Sequence, residues 1–353
     1  MTSNTNPIVI KNIYYMMAYA FQALQLEQYE DLDGETFEHM HDLFAAILAK
    51  GISCQAKRGL YQEYVAISDN LTTVRGRIIT HETLRNRLAR RQRIACNFDE
   101  LTDNNLVNQV LKTTALLLLR HGEIANERRS ALRKVLPYLS NIDELVPTRI
   151  PWEKIHLQRA NRQNRFLLNV CHLVLEGMLI SDQKGQLQLA RYVDEQKMCR
   201  LFEKFILEYF KAEHTNISTS SPQIKWALDD DNAALLPRMQ TDVMLSRGAS
   251  TLIIDAKFYG HATQHHYGAD SIRSNNLYQI FTYVKNKEAE LAHTGEPHCV
   301  SGMLLYALAV NDAPFDEIYQ MSGNRISVKT LDLNKPFDGI RNQLDEIAAS
   351  HFA

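Results

Sequence analysis

TDVMLSRGASTLIIDAKFY, residues 241–259, is the stretch on which the fold of this chain turns. Thr241–Leu245 and Thr251–Phe258 have the apolar and β-branched content of strands, and Arg247-Gly248 between them supplies a turn. The spacing predicts a hairpin. In its second arm Asp255 and Lys257 are two residues apart, so both side chains leave the same face. Asp242 stands near the start of the first arm, where antiparallel pairing brings it close to Asp255. The run Leu252-Ile253-Ile254 suits a buried central strand.

These residue types suit the hydrolysis of a phosphodiester. Two carboxylates on adjacent strands can hold Mg²⁺ or Mn²⁺, and Mg²⁺ in particular prefers oxygen ligands and keeps several waters. Such an ion lowers the pKa of a bound water and stabilises charge developing on the phosphate. A lysine beside it orients or deprotonates that water, its own pKa depressed by burial or held by its neighbours. Asp242, Asp255 and Lys257 are therefore the candidate catalytic residues, with Asp242 and Asp255 the candidate metal ligands. D-x-K by itself is a short pattern, and Asp182-Gln-Lys184 and Glu195-Gln-Lys197 also fit it. Neither follows an apolar strand with an acid on an earlier strand. A strand end carrying an exposed ion pair would give the same three letters.

The flanking segments separate these possibilities. VDEQKMCRLFEKFILEYF, residues 193–210, has helical periodicity and places Glu203 on or near the apolar face, where an unpaired carboxylate is costly. An acid there is within range of the metal site directly or through water. After the hairpin, SNNLYQIFTYVKNK (274–287) reads as a helix with Gln279 and Tyr283 on one face, four residues apart. Acidic helix, Asp strand, D-x-K strand and Q-x-x-x-Y helix, in that order, resemble the layout of RecB-like nucleases.

Toward the amino terminus the pattern is more helical. Helices are predicted over residues 9–26, 37–51 (ending at Gly51), 104–121, 125–139 and 162–180. Residues 60–79 alternate like strands, and Ser68-Asp69-Asn70 within them has the composition of a hairpin turn. VPTRIPWEK, with Pro147 and Pro151, is the best candidate boundary region. The expectation is a mainly helical α+β domain over 1–160 and an α/β domain over 161–353, its mixed sheet flanked by helices.

Composition bounds the rest. Hydrophobic residues make up 45% and charged residues 23%, the balance of a globular protein. No apolar run spans a bilayer, and MTSNTNPIVI lacks the basic and apolar regions of a signal peptide. The five cysteines form no CxxC pair, which argues for reduced thiols in the cytoplasm. Net charge is −2, so attraction to DNA must be local. TLRNRLARRQR supplies Arg85, Arg87, Arg90, Arg91 and Arg93 without an acid, a candidate contact for DNA or a protein partner. His39 and His41 read as surface residues.

IKNIYYMMAYAF, VRGRI at 74–78, LPRMQTDVML, LIIDAKFY and SNNLYQIFTYV together resemble the McrC family, the nuclease subunits of McrBC-type modification-dependent restriction systems. The resemblance runs from about residue 8 to about residue 335. It implies a PD-(D/E)xK endonuclease fold in the carboxy-terminal half, with the family's catalytic pattern falling on Asp242, Asp255 and Lys257. Glu203, Gln279 and Tyr283 carry over as supporting residues. The resemblance further implies that the amino-terminal domain docks on a hexameric AAA+ GTPase, McrB, and stimulates it. That partner recognises methylated cytosine in double-stranded DNA. The chain has no GxxxxGK[ST] loop, so a bound nucleotide is expected only in the partner. Two other readings compete: a stand-alone RecB-like repair nuclease, and a non-catalytic adaptor that binds DNA or activates a motor.

Overall fold

The computed structural model describes residues 7–22, 35, 37–155, 162–181, 187–189, 193–230, 232–259, 264–266, 269–308 and 313–352. Chain order begins with helices α1 (Pro7–Ala20) and α2 (Met40–Arg58). Strand β1 (Glu63–Leu71), the short β2 (Arg77–Ile78), helix α3 (Thr80–Leu88) and β3 (Ile94–Thr102) follow. Helices α4 (Leu106–His121), α5 (Asn126–Val135) and α6 (Arg162–Gly177) come next. The remainder runs α7 (Glu195–Glu213), β4 (Ser218–Ser220), β5 (Val243–Arg247), β6 (Ser250–Phe258) and α8 (Ser274–Ala292). It closes with β7 (Cys299–Leu308), β8 (Asp316–Met321), β9 (Asn324–Asp332) and α9 (Phe337–Phe352).

Two compact units result. One comprises Met1–Leu43, Glu176–Ile180 and Ala190–Ala353; the other comprises Phe44–Leu175 and Ser181–Leu189. The described residues therefore do not cluster along the linear division expected at residue 160. The cause is α1, whose Val9, Ile10, Ile13, Met16 and Met17 are all buried. A helix this apolar needs cover on most of its circumference, and it finds it in the first unit. Asn12 Nδ2 donates to the carbonyls of Leu333 (2.9 Å) and Lys335 (2.7 Å), Tyr19 Oη donates to Glu213 Oε1 (2.7 Å), and Tyr15 stacks on Phe337 at 4.2 Å.

The core of that unit is a mixed six-stranded sheet in the order β8-β9-β7-β6-β5-β4. β6 pairs parallel with β7 and antiparallel with β5, and β7 pairs parallel with β9. Register sorts the side chains. Ile253 on β6 joins Ile280, Tyr283 and Val284 of α8 in one apolar cluster, while Phe258, of opposite parity, meets Phe202 of α7. Gly302 of β7 lets α8 approach, since a Cβ there would come within 2.8 Å of Ile280 and 2.9 Å of Val284 and Ile326. The architecture is α/β with a helix against each sheet face, as the carboxy-terminal pattern predicts.

The second unit corrects several local expectations. No hairpin turns at Ser68-Asp69-Asn70: β1 runs straight through it and pairs antiparallel with β3, Asp69 against Cys96 and Asn70 against Ala95. Ser68 and Asn70 accept side-chain hydrogen bonds from Asn97 and Asn86 while the backbone completes a ladder, so their turn preference loses. β2 joins β3 from the other side. Gly76, just before β2, has φ +65, and a Cβ there would lie 2.4 Å from the Asn97 carbonyl, so only glycine fits in VRGRI. Helix α2 passes Gly51 and continues to Arg58. A mid-helix glycine costs about 1 kcal/mol, which burying Ile47, Leu48 and Ile52 outweighs. His41 is buried, 1% exposed, beside core residues Met40 and Leu43 at the start of α2, so it is not a surface residue.

Candidate active site

The last rung between β5 and β6 pairs Val243 with Ile254. Asp242, one residue further out, thus stands across from Asp255. Beyond this rung β6 continues to Phe258 alongside β7, but among the described residues no strand covers its other edge. Side chains complete that edge, because a strand's N–H groups must find acceptors. The Ala256 N–H donates to Asp242 Oδ2 at 2.9 Å, and the Cys199 thiol stands near the Phe258 backbone. A carboxylate and a thiol therefore sit where the sheet stops.

Asp255 is 1% exposed, and its Oδ2 receives Lys257 Nζ at 2.8 Å. Asp255 Oδ1 is buried and has no hydrogen-bond partner among the described residues. Burial pushes the Asp242 carboxyl up to about 7, the charges of Asp255 and Glu203 add to this, and Lys257 and the Ala256 N–H oppose it. Burial also raises Asp255, against the pull of Lys257. For Lys257 burial works against the charged form, yet Asp255 and Asp242 outweigh it and hold the ammonium above its ordinary range. Of the two routes open to this lysine, control by its neighbours wins over depression by burial. In this arrangement its amine is held as a fixed cation.

Glu203 arrives from α7, whose start is fixed by Asp194 accepting from the backbones of Gln196 and Lys197. Leu201, Phe202, Phe205 and Ile206 are buried, Phe202 against Phe258 of the sheet and Phe205 against Tyr19 of α1 and Phe337 of α9, each worth about 1.5–3 kcal/mol. That anchoring leaves Glu203 half-buried, its charge felt at both Asp242 and Asp255. Cys199 Sγ donates to Glu203 Oε1 at 3.2 Å. From α8, Gln279 Nε2 donates to Tyr283 Oη (2.9 Å), which donates to the Gln240 carbonyl (3.1 Å), two residues before Asp242. The Q-x-x-x-Y pair thus braces the backbone that carries the first carboxylate.

Structure brings together Asp242, Asp255, Lys257 and Glu203, with Gln279 and Tyr283 behind them. Sequence reading missed Cys199, although its four-residue spacing from Glu203 was a usable signal. Asp182 and Lys184 lie outside the described residues, and Glu195-Gln-Lys197 falls on the first turn of α7, where Lys197 pairs with Glu176 at 3.1 Å. Arg85 and Arg87 are on α3, Arg90 takes φ 55, and all five arginines are exposed, Arg93 donating to the Asn70 carbonyl.

The residues present fit a divalent cation of the hard type. Three acids face one lysine, the buried Asp255 Oδ1 lacks a donor, and the donors are oxygens. Among the described residues no group of three or more His, Cys, Asp or Glu side chains forms a dedicated metal cage. A pair of carboxylates with the remaining positions left to water is what Mg²⁺ accepts. No described helix is long and apolar enough to cross a membrane.

Residues 2–307 match the family of McrBC 5-methylcytosine restriction system components. The chain belongs to this family. A curated relative, the type IV methyl-directed restriction enzyme EcoKMcrBC of Escherichia coli (strain K12), is 27% identical over 344 residues, which is 96% of this chain and 97% of the relative. A solved half-complex of Thermococcus gammatolerans McrB AAA+ hexamers with bound McrC contains a chain of similar fold. The TM-score is 0.50 at 16% identity, over 97% of this chain and 76% of that one.

Proposed function

We propose that this chain is the endonuclease subunit of a GTP-dependent restriction complex, with a PD-(D/E)xK site at Asp242, Asp255 and Lys257. The observation that carries the reading is the carboxylate pair across the β5–β6 edge, Asp255 buried and Asp242 partly buried, with Lys257 2.8 Å from Asp255 and Asp255 Oδ1 unpartnered. Such a pair is expensive without a cation, and a fold keeps it where chemistry needs it.

Asp242 and Asp255 would hold Mg²⁺ or Mn²⁺. That ion supplies an acidified water and charge stabilisation for phosphodiester hydrolysis. The chain's own residues prepare the reaction. Lys257, kept protonated by Asp255, presents a cation to a scissile phosphate and orients water beside it. Glu203 adds a third negative charge, and Tyr283 with Gln279 fixes the approach of the strand bearing Asp242.

The partner is an McrB-like AAA+ GTPase and the substrate double-stranded DNA with methylated cytosine. Family membership and the fold shared with the McrB–McrC assembly support this. The unit of residues 44–175 offers a docking surface, since Leu84 and Leu88 are exposed on α3 together with Arg85 and Arg87, and Tyr64 is exposed on β1. The test mixes the chain with its cognate motor, GTP, Mg²⁺ and methylated or unmethylated DNA. Asp255→Asn and Lys257→Ala should abolish cleavage while the complex still assembles. Cleavage at the parental rate by either variant would refute the site.

A further inference from the structure

We propose that Cys199 is a positioning residue whose thiol holds Glu203 toward the paired carboxylates and thereby sets the affinity of the site for a divalent cation. The inference rests on the two-carboxylate metal reading above. Cys199 and Glu203 occupy successive turns of one face of α7, and Sγ lies 3.2 Å from Oε1. The sulfur also lies near the backbone of Phe258, at the end of β6 that the β5 ladder leaves uncovered. A thiol has one proton to donate. With the Glu203 carboxylate 3.2 Å away, that proton goes to Glu203.

The carboxylate requires such a restraint. Its nearest charged neighbours include Asp242 and Asp255, which repel it. Without a donor, the long glutamate side chain gains rotamer freedom and lower repulsion by turning to solvent. Cys199 therefore links three parts: the end of β6 that carries Asp255 and Lys257, the α7 helix, and the third acid. Its sulfur also feels the charge of Lys257, which places it at the margin of the cleft. A residue that orients a ligand or its hydrogen-bond partner changes metal affinity by roughly 10–100-fold when it is lost.

Mn²⁺ binding to the purified full chain, followed by electron paramagnetic resonance of the free ion, reads this directly without any cleavage assay. Cys199→Ala should weaken Mn²⁺ binding about tenfold, and Cys199→Ser, which keeps a donor, should restore most of it. Glu203→Gln should weaken it similarly, and the Cys199→Ala, Glu203→Gln pair should be no weaker than Glu203→Gln alone, because one arrangement is lost in both. Cys199→Val fills the volume without a donor and should behave as Cys199→Ala, which separates orientation from packing. Parental affinity in Cys199→Ala or Cys199→Val, or additive losses in the double variant, would overturn the proposal. Asp255→Asn reports on the underlying reading: unchanged Mn²⁺ binding there sinks the metal site itself, whatever Cys199 does.

Discussion

Replacing Asp242 by Asn should stabilise the metal-free protein at pH 8, although it removes a candidate catalytic group. Asp242 has its carboxyl raised from 3.8 to about 7, chiefly by burial and then by Asp255 and Glu203. Below about pH 4 the folded and unfolded chains both carry the proton, and this residue imposes no penalty. As pH rises toward 7 the unfolded chain releases the proton while the folded chain keeps it, so stability falls. Above pH 7 the loss is complete, with a ceiling of about 4 kcal/mol for this displacement. Asn keeps the oxygen that accepts from the Ala256 N–H and carries no charge. Asp255 and Glu203 remain, and ionisation draws water into the site, so about half the ceiling, roughly 2 kcal/mol, is the expected gain. For a unit of this size that is about 4–8 °C in Tm. The assay is thermal unfolding by circular dichroism, in EDTA and in Mg²⁺, at pH 5 and pH 8. The advantage of Asn should shrink to about 40% of its pH 8 value at pH 5, where the unfolded carboxyl has already released its proton but the folded one has not, and should vanish only below about pH 4. Mg²⁺ should raise the Tm of the parent at pH 8, because a ligand of the folded state stabilises it, and should do little for the variant. If the variant is less stable than the parent at pH 8 in EDTA, the carboxylate pair is not under charge repulsion and the reasoning fails.

Lys257→Ala should behave oppositely in EDTA, losing roughly 3–5 kcal/mol at pH 8 because Asp255 is left buried without its partner; a denaturant titration measures this, and an unchanged midpoint would contradict the ion pair. Gly302→Ala should cost roughly 1–3 kcal/mol through contact with Ile280, Val284 and Ile326, read from the same titration, and should lower cleavage by shifting α8 and its Tyr283. Tyr283→Phe should cost about 1 kcal/mol and reduce cleavage by freeing the Gln240 backbone, while partner binding stays parental. Exchanging Arg85, Arg87, Arg90 and Arg91 for Gln should weaken binding of the motor or of DNA in fluorescence anisotropy and flatten its salt dependence; equal affinities at all salt concentrations would remove this surface from the interface.

Much of the site was legible in one local stretch. Asp255 and Lys257 share a face because strand side chains alternate, and Asp242 comes opposite Asp255 because a hairpin pairs neighbouring segments. Gln279 and Tyr283, like Cys199 and Glu203, are joined by helical spacing alone. These relations depend on bonds between residues close in the chain, so the sequence by itself determined them. It also determined the elements that flank the site and, through family membership, the restriction system to which the chain belongs.

Pairings between distant segments came only from the tertiary structure. β1 passes through Ser68-Asp69-Asn70 because β3, more than twenty residues away, completes its ladder. α1 joins the carboxy-terminal unit because α7 covers its apolar surface and the carbonyls of Leu333 and Lys335 accept from its Asn12. The charge of Lys257 was likewise undecided by spacing, since burial and neighbouring acids act on it in opposite directions and only their arrangement in space gives the balance. Local chemistry named the residues, but long-range burial fixed their partners, their protonation and the uncovered strand edge at which Asp242, Asp255 and Lys257 meet.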